Sequence, residues 1–181
     1  LDYAEFLTDK EDEIEEFILS FIRERVAQRI ATITKRHDII DAVVNSNTSS
    51  VPEQLKAAKV LSAVSESEEF KGITEALNRV INISAKAQDD ASGEILEDRL
   101  ETESERTLVK AIKELHSKVQ TLTPEELYSH LEAMAPKIND FFNENMVMVD
   151  DEATRRNRLK FLGLLSEIIL DFADFTSLIV K

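Results

Sequence analysis

The 181-residue chain has no cysteine, three glycines, three prolines and three histidines, and no apolar run near the roughly eighteen residues that a membrane span needs. Without cysteine there are no disulfides and no thiolate metal sites, a composition that fits a reducing cytoplasm. Three isolated glycines cannot build a phosphate-cradling loop. His37, His116 and His130 are scattered and lack a glycine elbow, so no Ser–His–Asp or Cys–His nucleophile can be assembled from the pattern. The acidic start is no secretory signal, and an opening Leu1 in place of Met suggests an excised piece of something longer. Scarce glycine and proline also leave little material for tight turns, which favours a few long helices.

What is present is a formal charge of −14, a charged fraction of 32% and a hydrophobic fraction of 43%. That balance predicts a folded domain, or two small helical ones, with Glu- and Lys-rich helix faces in water. Strong acidity argues against blanket nucleic-acid affinity but leaves room for a local basic face. No 20–50-residue repeat is visible, and nothing beyond the four residues "MVMV" (146–149) resembles a strand, so the predicted class is all-α.

Residues 1–13 read as an acidic leader, and 14–181 as one helical domain interrupted by an acidic loop near 88–102. From Ile14 the apolar positions step through Phe17, Ile18, Phe21 and Ile22 to Val26, Ile30 and Ile33, the spacing of a long amphipathic helix with Phe21 and its neighbours inward. Steps of four overshoot a turn by about 40°, so the stripe drifts and the early azimuth becomes cationic. Residues 23–37 hold five cations (Arg23, Arg25, Arg29, Lys35, Arg36) against Glu24. Further helices are expected at 36–46, from Ser50 or Val51 onward, from Ser65 or Ser67 onward, and through Leu108 to Val119. "TPEELYSHLEAM" begins another, with Thr123 as cap, Pro124 in the first turn and Glu126 completing a capping box. Pro136 is expected to interrupt it, and "KINDFFNEN" to form a separate short helix.

Chemistry-bearing patterns are few. His37-Asp38 evokes the metal pair of helical phosphohydrolases, but no histidine precedes it, and Asp38 as a helix cap is the better account. The pairs Asp89-Asp90 and Asp150-Asp151 lack the spaced ligands and glycine of a calcium loop. The remaining feature is "MVMVDDEATRRNRLKFLGLL" (146–165). Asp150 is the expected N-cap, and Asp151 to Arg155 and Glu152 to Arg156 are favourable i,i+4 pairs. Arg158 and Lys160 have no such partner, which makes them the better candidates for an external phosphate.

"FFNENMVMVDDEATRRNRLKFLGLLSEIILDFADFTSLI" (141–179) resembles the C-terminal end of the β subunit of bacterial tetrameric glycyl-tRNA synthetase, and "RHDIIDAVV" (36–44) resembles the same region's start. The resemblance spans roughly 14–180. It implies a helical bundle similar to the anticodon-binding domain of arginyl-tRNA synthetase. It also implies that the fragment has no aminoacylation activity of its own, ATP and Mg belonging to the α subunit. The implied partners are glycine tRNA, whose anticodon ends in two cytosines, the rest of the β subunit and the α subunit, without a membrane. Arg25, Arg29, Arg36, Arg155, Arg156, Arg158 and Lys160 become the expected RNA contacts, with Arg158→Ala expected to weaken binding and spare the fold. Tyr128, Phe141 and Phe142 are candidate stacking platforms, although paired Phe between helices is more often core. A helical protein-docking module with an acidic surface is the alternative.

Overall fold

A computed structural model describes residues 3–85 and 94–180. Among the described residues seven α-helices follow in order: α1 (Tyr3–Ile30), α2 (His37–Val44), α3 (Val51–Val64), α4 (Glu68–Ala85), α5 (Glu103–His116), α6 (Pro124–Glu144) and α7 (Glu152–Phe172). Short 3₁₀ turns lie at Glu97–Arg99, Val119–Thr121 and Phe175–Ser177. No strand occurs among the described residues. Residues 146–149 form an irregular bend in which Val147 is buried while Met146 and Met148 face water. The Asp89-Asp90 pair and the first part of the expected acidic loop fall outside the described residues.

The core is built around α4, α6 and α7. α4 packs on both α6 and α7, α5 lies against α6 and α7, and α2 and α3 extend the bundle, with α1 against them. Phe141, Phe161, Phe175, Ile112, Leu131 and Leu159 are among its fully buried side chains. Phe161 meets Phe141 edge-on at 5.3 Å between ring centroids, a favoured aromatic geometry. Past α7 the chain turns back, so that Asp174 N–H donates to Ala42 C=O at 2.8 Å and Phe175 plugs the core.

Local signals explain most boundaries. Thr123 Oγ1 accepts from Glu126 N–H at 3.3 Å while the Glu126 carboxylate accepts from Thr123 N–H at 2.8 Å, the expected capping box. Thr102 and Glu105 form a second box at the start of α5, inside a stretch whose acidity conceals it in the sequence. Asp151, not Asp150, caps α7.

Two expectations are corrected. α6 runs unbroken through Pro136. A proline in a helix interior costs about 3 kcal/mol. Here Pro136 is on the solvent side, and the buried series Leu131, Met134, Ala135, Ile138, Phe141 continues across it, so packing on both sides outweighs the lost hydrogen bond. The second correction concerns α1, which begins at Tyr3, well before Ile14. Its first apolar stripe is not inward: Ile14, Phe17, Ile18, Phe21 and Ile22 are all exposed, and the helix enters the core only at Val26 and Ile30.

Candidate nucleic-acid interface

The cations at the start of α7 are held by different partners. Asp151 accepts from Thr154 N–H at 2.8 Å. Its bonds to Thr154, helped by the charges of Arg99 and Arg155, hold its carboxyl below the usual range. Glu152 and Arg156 form the expected i,i+4 ion pair at 2.5 Å. Arg155 does not turn to Asp151 for a hydrogen bond; its Nη1 donates to Val149 C=O at 3.0 Å. Lys160 Nζ donates to Glu94 C=O at 3.4 Å and stays half-buried.

Arg158 corrects the expectation placed on it. It is 4% exposed. Nε donates to Glu105 at 2.6 Å, Nη2 to Glu101 at 2.8 Å and Nη1 to Met146 C=O at 2.9 Å, with Asn145 Oδ1 at 3.4 Å. It lacks a carboxylate four residues away but has two at distances of 57 and 53 in sequence. Glu105 is itself fully buried and also accepts from Glu101 and Thr102 N–H groups. With four of its five N–H groups engaged and only 4% of the residue exposed, this guanidinium is not presented to a phosphate, and removing it would leave a buried carboxylate without its counter-charge.

Its neighbour Asn157 does a related job. Leu96 N–H donates to Asn157 Oδ1 at 2.8 Å, and Asn157 Nδ2 donates to Leu96 C=O at 2.9 Å. The "RRNR" run therefore pins three separate pieces of chain onto α7: the strap at 94–101, the start of α5 and the bend at 145–149.

Arg36 is turned inward in the same way. It makes a two-pronged contact with Asp38 (3.1 and 2.5 Å) and donates to Ile179 C=O at 2.8 Å, while Asp38 accepts from Ile179 N–H at 2.9 Å. Asp38 thus grips the C-terminal segment and does not cap its own helix. Burial alone would raise its carboxyl, but Arg36 and the Ile179 N–H outweigh it and hold Asp38 below the usual range. Asp38 of the His37-Asp38 pair is thus engaged, and no group of three or more His, Asp and Glu among the described residues is placed to hold a metal.

Arg25 and Arg29 lie in the second half of α1 and are exposed, as is Arg23. None of the three makes an ion pair with a carboxylate among the described residues. The Arg25 guanidinium sits 5.1 Å from the Phe21 ring centroid. The structure therefore leaves Arg25 and Arg29 outward, keeps Arg156 and Lys160 at the surface of α7, and turns Arg36, Arg155 and Arg158 toward the protein's own chain.

A shallow depression at the start of α7 is lined by Leu96, Asp151, Glu152, Arg156, Asn157 and Lys160. Cations and carboxylates meet there at the protein surface. The expected stacking platforms do not: Tyr128, Phe141 and Phe142 are buried. The Tyr128 hydroxyl has no partner among the described residues, and burial, with Glu132 nearby, pushes it up to about 12. Arg79, which sequence reasoning passed over, lies 4.0 Å from the Phe142 ring centroid and covers it. That contact joins residues sixty-three apart in sequence, and no local pattern signals it.

A model of the DALR anticodon binding domain matches residues 73–173, which is α4 through α7 with the start of α4 excluded. Relatives extend further. The glycine–tRNA ligase beta subunit of Shouchella clausii is 33% identical over 178 residues, covering 96% of this chain and 25% of its own. That of Halalkalibacterium halodurans is 33% identical over 185 residues (100% and 26%), and that of Streptococcus pyogenes serotype M18 is 38% identical over 167 (91% and 23%). The chain spans about a quarter of the length of these relatives.

Proposed function

Because the chain belongs to the DALR anticodon binding domain family, we propose that it is the tRNA-gripping module of a glycine–tRNA ligase β subunit, reading the anticodon of glycine tRNA. The family match over α4–α7 is the observation that carries this reading. Aminoacylation, with its ATP and Mg, belongs on this reading to the α subunit, and the present chain contributes position rather than chemistry.

The geometry suggests how the work divides. Arg25 and Arg29 meet phosphates of the anticodon stem, since both are outward and unpaired with carboxylates among the described residues. The depression at the start of α7 suits a loop base. Cytosine presents an amino donor at its edge, which needs an acceptor, and Asp151 and Glu152 supply carboxylates there beside Arg156 and Lys160. Single-stranded bases are read this way, splayed from the loop, while backbone contacts fix register. The acidic remainder of the surface repels RNA docked elsewhere.

Titration of the chain with glycine tRNA, and with the same tRNA carrying both anticodon cytosines changed, tests this at two salt concentrations. Preference for the native anticodon that falls steeply with salt supports the reading. Equal binding of the two tRNAs would reduce the module to a backbone-gripping surface, and no binding to either would remove the assignment. A second reading, protein docking, is favoured by one observation, the exposed apolar face of α1.

A further inference from the structure

Between Ile14 and Ile22, α1 carries an apolar face with nothing packed against it among the described residues. Ile14, Phe17, Ile18 and Phe21 follow i, i+3, i+4, i+7 spacing and share one side of the helix. All four are exposed, Phe17 most of all at 71%. Leu19 and Ile22, in line with the buried Val26 and Ile30, are exposed too because the helix has not yet reached the core. The six side chains leave on the order of 500 Å² of apolar surface in water, the upper end of what a monomer carries and a size that marks an interaction site. Glu16, Ser20 and Arg23 occupy the opposite side and are exposed and polar. The face therefore calls for a partner on one side only. A helix this long owes most of its stability in water to such a partner rather than to propensity.

We propose that this face is the seat for the body of a glycine–tRNA ligase β subunit, meaning the part of such a chain outside the quarter matched by these 181 residues. The inference rests on the β-subunit reading above. Two observations select this occupant. The relatives carry about three-quarters of their length beyond the matched region, so a large body is available to cover the face. The match to the Halalkalibacterium halodurans relative takes in 100% of this chain, so the apolar half of α1 belongs to the shared quarter. Arg25, stacked on Phe21 at the edge of the face, then stands at the border between body and module, where one tRNA can touch both.

Hydrogen exchange tests the seat in a full-length chimera: the Halalkalibacterium halodurans β subunit with its matching quarter replaced by these 181 residues. Amides of residues 14–22 are expected to exchange rapidly in the isolated chain and about 100-fold more slowly in the chimera. Phe17→Glu with Phe21→Glu should restore fast exchange there while α4–α7 stay protected. Equal exchange at 14–22 in the isolated chain and the chimera overturns the proposal. So does an isolated chain that sediments as a dimer and protects these residues by itself, which would make the face a self-interface. Should the chimera fail to protect α4–α7, the isolated chain is added to the β subunit lacking that quarter. Binding abolished by the double substitution then supports the seat, and no binding overturns it. A tRNA titration of the same samples separates the two readings, since lost tRNA binding with docking intact would sink the anticodon assignment alone.

Discussion

At the start of α7, Arg158 is enclosed by Glu105, Glu101, Asn145 and a backbone carbonyl, while on α1 Arg25 and Arg29 stand in water with no carboxylate paired to them among the described residues. Both groups sit in locally basic sequence on an acidic protein. What separates them is the path of the rest of the chain. The strap at 94–101 and the capping box of α5 bring two glutamates to Arg158, whereas no carboxylate among the described residues is brought to Arg25 or Arg29 on α1. A basic cluster in sequence therefore reports charge density, and only the fold decides whether that charge is available to a ligand.

Removing Arg158 should break this contrast most visibly. Arg158→Ala leaves Glu105 buried and unpaired, and chemical denaturation is expected to show a loss of about 3–5 kcal/mol. Combining Arg158→Met with Glu105→Leu should recover only part of it: the unpaired buried charge is gone, but the Glu101 and Thr102 N–H groups lose the acceptor that Glu105 gives them. A stable Arg158→Ala protein with weakened tRNA binding would restore it to the interface. On α1 the expectation reverses. Arg25→Ala with Arg29→Ala should leave stability within about 0.5 kcal/mol. It should also flatten the log–log salt dependence of tRNA binding by about 1.8 if both cations neutralise phosphates of the double-stranded anticodon stem. An unchanged slope in a salt series would remove these two arginines from the contact surface.

Asp38 sharpens the comparison through pH. Its carboxyl is held below the usual range in the folded chain, so the stability it contributes is complete above about pH 4, where an unfolded Asp is ionised. That stability is lost as pH falls through the lowered folded value. Asp38→Asn should therefore lower the Tm at pH 7 and narrow the gap to the parent in more acidic buffer, a trend a Tm series from pH 7 downward would reveal. A gap independent of pH would mean that the Ile179 clamp does not depend on the charge. The smallest effect belongs to Arg156→Ala: with Glu152 as an exposed i,i+4 partner, it should cost about 0.3–0.5 kcal/mol.

Much of the fold was legible because helical periodicity is local. The existence of α2 and α4, the capping box at Thr123 and the Glu152–Arg156 pair were all open to local pattern. Pro136 misled because its penalty is local while the packing that offsets it is not. The outward stripe of α1 misled for the opposite reason, since periodicity shows that a face is apolar without showing whether anything in the same chain covers it. At the candidate site, the outward position of Arg25 and Arg29 was compatible with the pattern, but the partners of Arg36, Arg155 and Arg158 were not visible. Ile179 lies 143 residues from Arg36, and no spacing rule reaches that far.

The contact between Asn157 and Leu96 carries a lesson about mutational tolerance. The amide reads only the backbone of residue 96, satisfying its N–H and C=O together, and the Leu96 side chain remains 43% exposed. Substitutions at 96 should pass almost unnoticed, barring proline, while those at 157 should not. A survey of tolerated changes would then mark position 157 as indispensable and position 96 as free, although they are two ends of the same pair of hydrogen bonds. Intolerance inside "RRNR" is thus a signature of chain closure, and residues that touch RNA are better sought among side chains whose loss leaves the fold unaltered.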